Sequence, residues 1–96
     1  MKDKAVRRFR KKPVVVEARQ FTLADAENPA SIEAWCNGRV RGTRLPPRSR
    51  IIQIDTLEGE VSGSIGDWII KGVRGEFYPC RADIFSETYE DADSDQ

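Results

Sequence analysis

A chain of 96 residues and 10.9 kDa supports one domain with one modest core, because chains divide into several cores only beyond roughly 250 residues. Hydrophobic residues make up 39% and charged residues 33%, and no apolar run approaches the roughly 20 residues of a spanning helix, so no membrane partner is expected. The chain contains no His, which removes the commonest general base, the usual nitrogen ligand of metals and every Ser-His or Cys-His nucleophile pair.

Ile (8) and Val (7) outnumber Leu (3), a bias that suits pleated, half-buried strands. The net charge of zero hides a division. Residues 2–50 carry 13 Lys/Arg against 5 Asp/Glu, and residues 51–96 carry 3 against 11. Such asymmetry has three readings: the halves attract one another in the fold, copies pair into a homo-oligomer, or the basic half meets an anionic partner. The opening MKDKAVRRFRKK has no apolar stretch behind it and does not read as a secretory signal. Cys36 and Cys80 therefore read as free, buried thiols of a reducing compartment. Neither belongs to a CxxC pair, so no metal site is expected.

In chain order, residues 1–8 read as a flexible basic N-terminus and 13–90 as the folded part. Val14 to Thr22 is predicted as a strand, with Val14, Val16 and Ala18 on one face and Val15, Glu17, Arg19 and Phe21 on the other. LADAEN (23–28) reads as a loop. Asn28 and Pro29 read as N-cap and first helical position, Asn37-Gly38 as the stop, and Ile32, Trp35 and Cys36 as the apolar stripe between them. Arg39–Arg50 is a Pro/Gly/Arg loop with a short strand near Arg39–Arg41. Ile51–Thr56 is a strand, LEGE (57–60) a turn, Val61–Gly63 a return strand and Ile65–Asp67 another turn, in which the Asp67 carboxylate accepts backbone N–H groups. Trp68–Lys71 and Glu76–Tyr78 are predicted to pair across a hairpin with Gly72 and Gly75 at positive φ, and Pro79 to end the second strand. Ala82–Tyr89 reads as a helix packing through Ile84, Phe85 and Tyr89, and 91–96 as a flexible acidic tail. The predicted class is α+β: one mostly antiparallel sheet of five to six short strands with two short helices. Trp35, Ile52, Ile54, Trp68, Ile70, Phe77 and Phe85 are its expected core.

The block LEGEVSGSIGDWIIKGVRGEFYPCRADIFSETYE (57–90), with the opening RFRKKPVVVEARQFT (8–22), resembles a group of small phage and prophage proteins. Their pattern joins an RKKPVVVEA strand to a C-terminal block like PGDWIIKGVKGEFYPCKPDIFxxTYE. Ile65 and Ala82 stand where that group usually has Pro. The resemblance implies a phage-encoded accessory protein working in the host cytoplasm, and it names no reaction.

Candidate chemistry is sparse. Glu58, Glu60, Asp67 and Glu76 supply carboxylates but no recognisable acid/base pair, and Ser62 and Ser64 lack a base. No phosphate-loop or dinucleotide glycine pattern occurs. No catalytic residue and no cofactor is expected, and a non-enzymatic role follows. The strongest feature is the arginine loop: Arg39, Arg41, Arg44, Arg48 and Arg50, stiffened by Gly42 and Pro46-Pro47, with Arg10 and Lys12 at the margin. Guanidinium forks bind phosphate and carboxylate bidentately. A second candidate is a groove lined by Trp68, Lys71, Arg74 and Tyr78. The expected function is a binding protein that engages a host protein or an anionic small molecule, a nucleotide among them. The alternative is a nucleic-acid-associated protein gripping the phosphate backbone.

Overall fold

Strand propensity is concentrated in the second half of the chain, and the computed structural model, which describes residues 6–93, builds two small sheets from it. In chain order the elements are β1 (Glu17–Gln20), α1 (Leu23–Glu27), α2 (Ala30–Cys36), β2 (Arg39–Arg41), β3 (Ile51–Thr56), β4 (Gly59–Ser64), β5 (Trp68–Lys71), β6 (Phe77–Cys80) and α3 (Ala82–Thr88). The class is α+β, as the order of predicted strands and helices implied. The six strands do not form one sheet: β1-β5-β6 make one antiparallel sheet and β2-β3-β4 another. Of the ends expected to be flexible, residues 1–5 and 94–96 lie outside the described residues.

Period two explains the second sheet. Ile52 and Ile54 point inward and are fully buried, with Val40 opposite Ile52 and Val61 opposite Ile54. The other face is polar: the Arg39 guanidinium lies 2.9 Å from Glu60 and 3.5 Å from Asp55, joining the basic half to the acidic half. In the first sheet Ile69 faces the same core, while Ala18, Ile70, Tyr78, Trp68 and Cys80 share the opposite face in register. The sheets meet at Gly63, where an added Cβ would touch Ile52, Pro79 and Ile69 at 3.3–3.4 Å. Glycine is there because another strand lies too close for a side chain.

The helices close the remaining side. Ala26, Ile32 and Cys36 from α1 and α2 join Phe21, Val40, Ile52, Ile54 and Ile69 in one cluster. The expected loop at 23–28 is helix α1, held by a capping box: Thr22 Oγ1 accepts from the Asp25 N–H, and the Asp25 carboxylate accepts from the Thr22 N–H at 2.9 Å. Asn28 caps the C-terminus of α1 instead of opening α2, and Pro29 occupies the N-cap of α2. Asn37, at φ 55°, stops α2 in the left-handed conformation that Asn tolerates.

Other boundaries shift for physical reasons. β1 is shorter than predicted, because its partner β5 offers only Trp68–Lys71, and Val14 and Val15 remain exposed without a partner strand. β4 starts at Gly59 and extends to Ser64, so only Leu57 and Glu58 form the turn. Pro79 lies inside β6, not after it. Gly72 N–H donates to the Glu76 carbonyl at 2.7 Å; the alternation of bonded pairs then puts Pro79 opposite Ile69 in a non-bonded pair, where its missing N–H costs nothing. Gly75 has the positive φ expected of it, +83°, whereas Gly72 does not. At Gly72 an added Cβ would meet only the Glu76 carboxylate, the end of an exposed side chain that can move aside, so the turn depends on Gly75 and not on Gly72. Trp35, Trp68, Phe77 and Phe85 are half-buried at the layer margins, and the fully buried large side chains are Phe21, Ile32, Ile52, Ile54, Ile69 and Ile70.

Candidate functional site

The arginine loop runs from β2 to β3. Gly42 turns the chain at φ +87°, and Leu45 N–H donates to the Gly42 carbonyl at 2.8 Å. Pro47–Ser49 forms a single 3-10 turn, closed by Ser49 and Arg50 N–H groups on the Pro46 and Pro47 carbonyls. Arg50 fastens this loop from within. Its guanidinium donates to the carbonyls of Ala26 (2.6 Å), Thr43 (3.1 Å) and Leu45 (3.3 Å). Ala26 O belongs to the last turn of α1, whose carbonyls lack partners within the helix. One side chain thus ties the loop to itself and to the body of the protein.

The five loop arginines therefore divide. Arg39 is engaged by Asp55 and Glu60, Arg41 Nε donates to Gln53 Oε1 at 2.7 Å, and Arg50 is the internal clasp. Arg44 and Arg48 are exposed and make no hydrogen bond or ion pair among the described residues. Between them Leu45 is 50% exposed, a side chain to which the sequence reading gave no role.

The second surface lies on the far face of the β1-β5-β6 sheet, under α3. Trp68 stacks on Phe85 (4.3 Å between centroids, 7° between planes), and Phe85 stacks on Tyr89 at 5.0 Å. The column is topped by Lys11, whose ammonium lies 4.7 Å from the Tyr89 ring centroid and donates to its hydroxyl at 3.1 Å. Lys11 belongs to the irregular segment 6–16, the arm, which passes over the hairpin end of the sheet. Burial, with a hydrogen bond to Tyr89, pushes the Tyr78 phenol up to about 12. The Lys11 hydrogen bond, then that of Tyr78, holds Tyr89 below the ordinary phenol value. Two clefts open here. One, about 160 Å³, is walled by Val14, Val16, Val73, Lys11, Tyr78 and Tyr89; its neighbour, about 200 Å³, by Lys11, Lys12, Pro13, Val14, Thr88 and Tyr89.

The predicted groove is only half assembled. Trp68 and Tyr78 share the α3 face, but Lys71 points to the opposite face beside Phe77, as the period of two demands, and Arg74 sits in the hairpin turn. Arg10 is exposed on the arm, and Lys12 lines the second cleft. No hydrogen bond or ion pair joins these arm residues to the arginine loop among the described residues, and neither cleft reaches it. The loop is clasped to α1, on the core side of the first sheet. Tyr89 and Lys11 were legible as a helix packing residue and a member of a basic run, without the contact between them.

The remaining chemistry is occupied by the fold. Asp67 accepts the Ser64 N–H at 2.9 Å, as its place in the turn predicts, Glu60 pairs with Arg39, and Glu76 accepts the Arg74 N–H at 3.0 Å. Cys36 is buried, Cys80 half-buried, both are free, and burial pushes both thiols up, away from thiolate character. Among the described residues no three His, Cys, Asp or Glu side chains are grouped to hold a metal ion, and no helix is long and apolar enough to cross a membrane. No family model, curated protein or solved structure matches the chain.

Proposed function

We propose that this protein is a non-enzymatic binding protein that engages an acidic surface of a partner protein through Arg44, Leu45 and Arg48. The observation that carries the reading is the division of labour within the loop: Arg50 is spent on three backbone carbonyls, leaving Arg44 and Arg48 uncommitted on a segment already ordered. Ordering a loop on binding subtracts from affinity, and a loop clasped beforehand avoids most of that loss. Leu45 favours a protein partner over a phosphate backbone, because an aliphatic side chain between two arginines can be buried against a partner's apolar surface and gains nothing from contact with phosphates. The resemblance to phage and prophage proteins supports a setting in which the partner is a host protein of the cytoplasm, with counter-defence as one use.

The test compares three baits in bacterial lysate: the wild type, the double variant Arg44→Glu/Arg48→Glu, and Leu45→Ser. The expected result is a protein retained by the wild type and lost from both variants, while all three melt alike. Loss of two charged contacts weakens binding at least tenfold. Retention of nucleic acid that survives Leu45→Ser and falls steeply with salt supports the phosphate-backbone alternative instead. A partner held equally by all three baits removes the loop from the function.

A further inference from the structure

We propose that the two clefts under the arm are one binding site for a small organic anion with an apolar tail, separate from the arginine loop. They share Lys11, Val14 and Tyr89, so a ligand crosses from one to the other without leaving the wall. Singly each is small for a ligand site; joined, they reach the lower end of the usual range, about 300 Å³.

The two ends differ in chemistry, which gives the ligand a direction. Val14, Val16 and Val73 line the first cleft, and Lys11 and Lys12 stand at the second beside Pro13, Val14, Thr88 and Tyr89; the Thr88 hydroxyl is engaged by the Ile84 carbonyl at 2.8 Å. Neither lysine has a carboxylate within ion-pair distance among the described residues. Lys11 uses one of its three donors on Tyr89, and the others are unassigned. The one carboxylate in the walls, Glu76, lines the first cleft beside Gly72, where it accepts the Arg74 N–H, and does not line the second. A negative headgroup therefore belongs beside Lys11 and Lys12, and the tail runs over the valines toward Tyr78. A cation in the same place meets two ammonium groups and is excluded. Because the arm supplies the lysines and two of the valines, occupancy fixes the arm to α3.

Octanoate is the probe, with octylamine, acetate and inorganic phosphate as controls, followed by amide chemical shifts of the labelled protein. Octanoate is expected to move the signals of Val14, Val16 and Val73 saturably and to slow amide exchange in the arm. Octylamine leaves them in place, and acetate and phosphate, lacking a tail, bind at least tenfold more weakly. Lys11→Gln weakens octanoate about tenfold, the loss of one charge-assisted contact. Lys12→Gln and Val73→Ser, at exposed positions that leave melting unchanged, weaken it several-fold each. Arg44→Glu/Arg48→Glu leaves octanoate binding intact, which separates this site from the loop. Equal responses to octanoate and octylamine, shifts that map elsewhere, or octanoate binding unchanged in both Lys11→Gln and Lys12→Gln overturn the proposal.

Discussion

Replacing Arg50 by Ala is the sharpest test of how the loop is held. The bond to Ala26 O is short, 2.6 Å, and part-buried, and a charged donor on such a carbonyl is worth about 1.5–3 kcal/mol. The bonds to Thr43 and Leu45 are exposed, so water competes for those carbonyls and solvent screening limits the pair to roughly 0.2–1 kcal/mol together. The expected loss is about 2–3 kcal/mol. For a domain of this size each kcal/mol moves the melting temperature by roughly 4–8 °C, so Arg50→Ala melts on the order of 10–20 °C lower. Circular dichroism on heating measures the shift, and amide exchange across residues 42–50 localises it. Arg50→Lys falls in between, because a single ammonium cannot span three carbonyls in a fixed fork. Arg44→Glu/Arg48→Glu, by contrast, changes stability by no more than about 0.5 kcal/mol. If Arg50→Ala melts within about 2 °C of the wild type, or if the double variant melts as early as Arg50→Ala, the division between clasp and free arginines is refuted.

Gly63→Val drives a branched side chain against Ile52, Ile69 and Pro79 and costs about 1–3 kcal/mol as overpacking; an unchanged urea midpoint means the sheets lie farther apart than 3.3–3.4 Å contacts imply. Thr22→Ala removes the cap of α1 and costs about 0.5–2 kcal/mol, while Asp25→Ala costs more, because it also breaks the ion pair with Arg19, 3.0 Å away, and leaves that guanidinium only Ser31 and solvent to donate to; equal losses in the melting midpoint contradict that ordering. In alkali, phenolate absorbance shows Tyr89 ionising below the usual 10 and Tyr78 near 12. Since Tyr78 is held protonated by the fold, its contribution to stability is complete below pH 10 and is lost as the pH rises toward 12. Tyr89→Phe brings the Tyr78 midpoint down; two tyrosines titrating together near 10 contradict the shared hydrogen bond.

Local punctuation made much of the fold legible. Asn37-Gly38, Gly59, Gly66-Asp67 and Gly75 each carry their turn in the residues themselves, and the strands between them follow from period-two alternation. Helix α1 escaped because it is a five-residue turn whose signal is a capping box with Asp in place of Glu, too short for periodicity to register. The split into two sheets depends on β1 finding β5, a choice made by the whole molecule and not by either segment. The same holds at the candidate sites. Residue type picked out the arginine loop, but the separation of Arg44 and Arg48 from Arg39, Arg41 and Arg50 required cross-strand register and the position of the α1 carbonyls. The Lys11–Tyr89 contact joins residues 78 apart, which no window along the chain can see.

The pairing of β1 also fixes an order of events. Phe21 N–H donates to Asp67 O and Gly66 N–H to Phe21 O, while the Gln20 side chain reaches Gly66 across 46 residues. The β3–β4 and β5–β6 hairpins close over two- and five-residue turns and meet a small loop-closure penalty, whereas β1 bears the large one. On the ribosome β1 emerges first, yet its partner strand is not complete until Lys71 has been made. Until then Ala18 and Phe21 lack the strand and the core that cover them, and the arginine- and lysine-rich stretch ahead of them keeps the nascent chain in solution. A substitution in β1 is accordingly expected to register in the unfolding rate, and one in the β5–β6 hairpin in the folding rate, which a chevron of each variant checks.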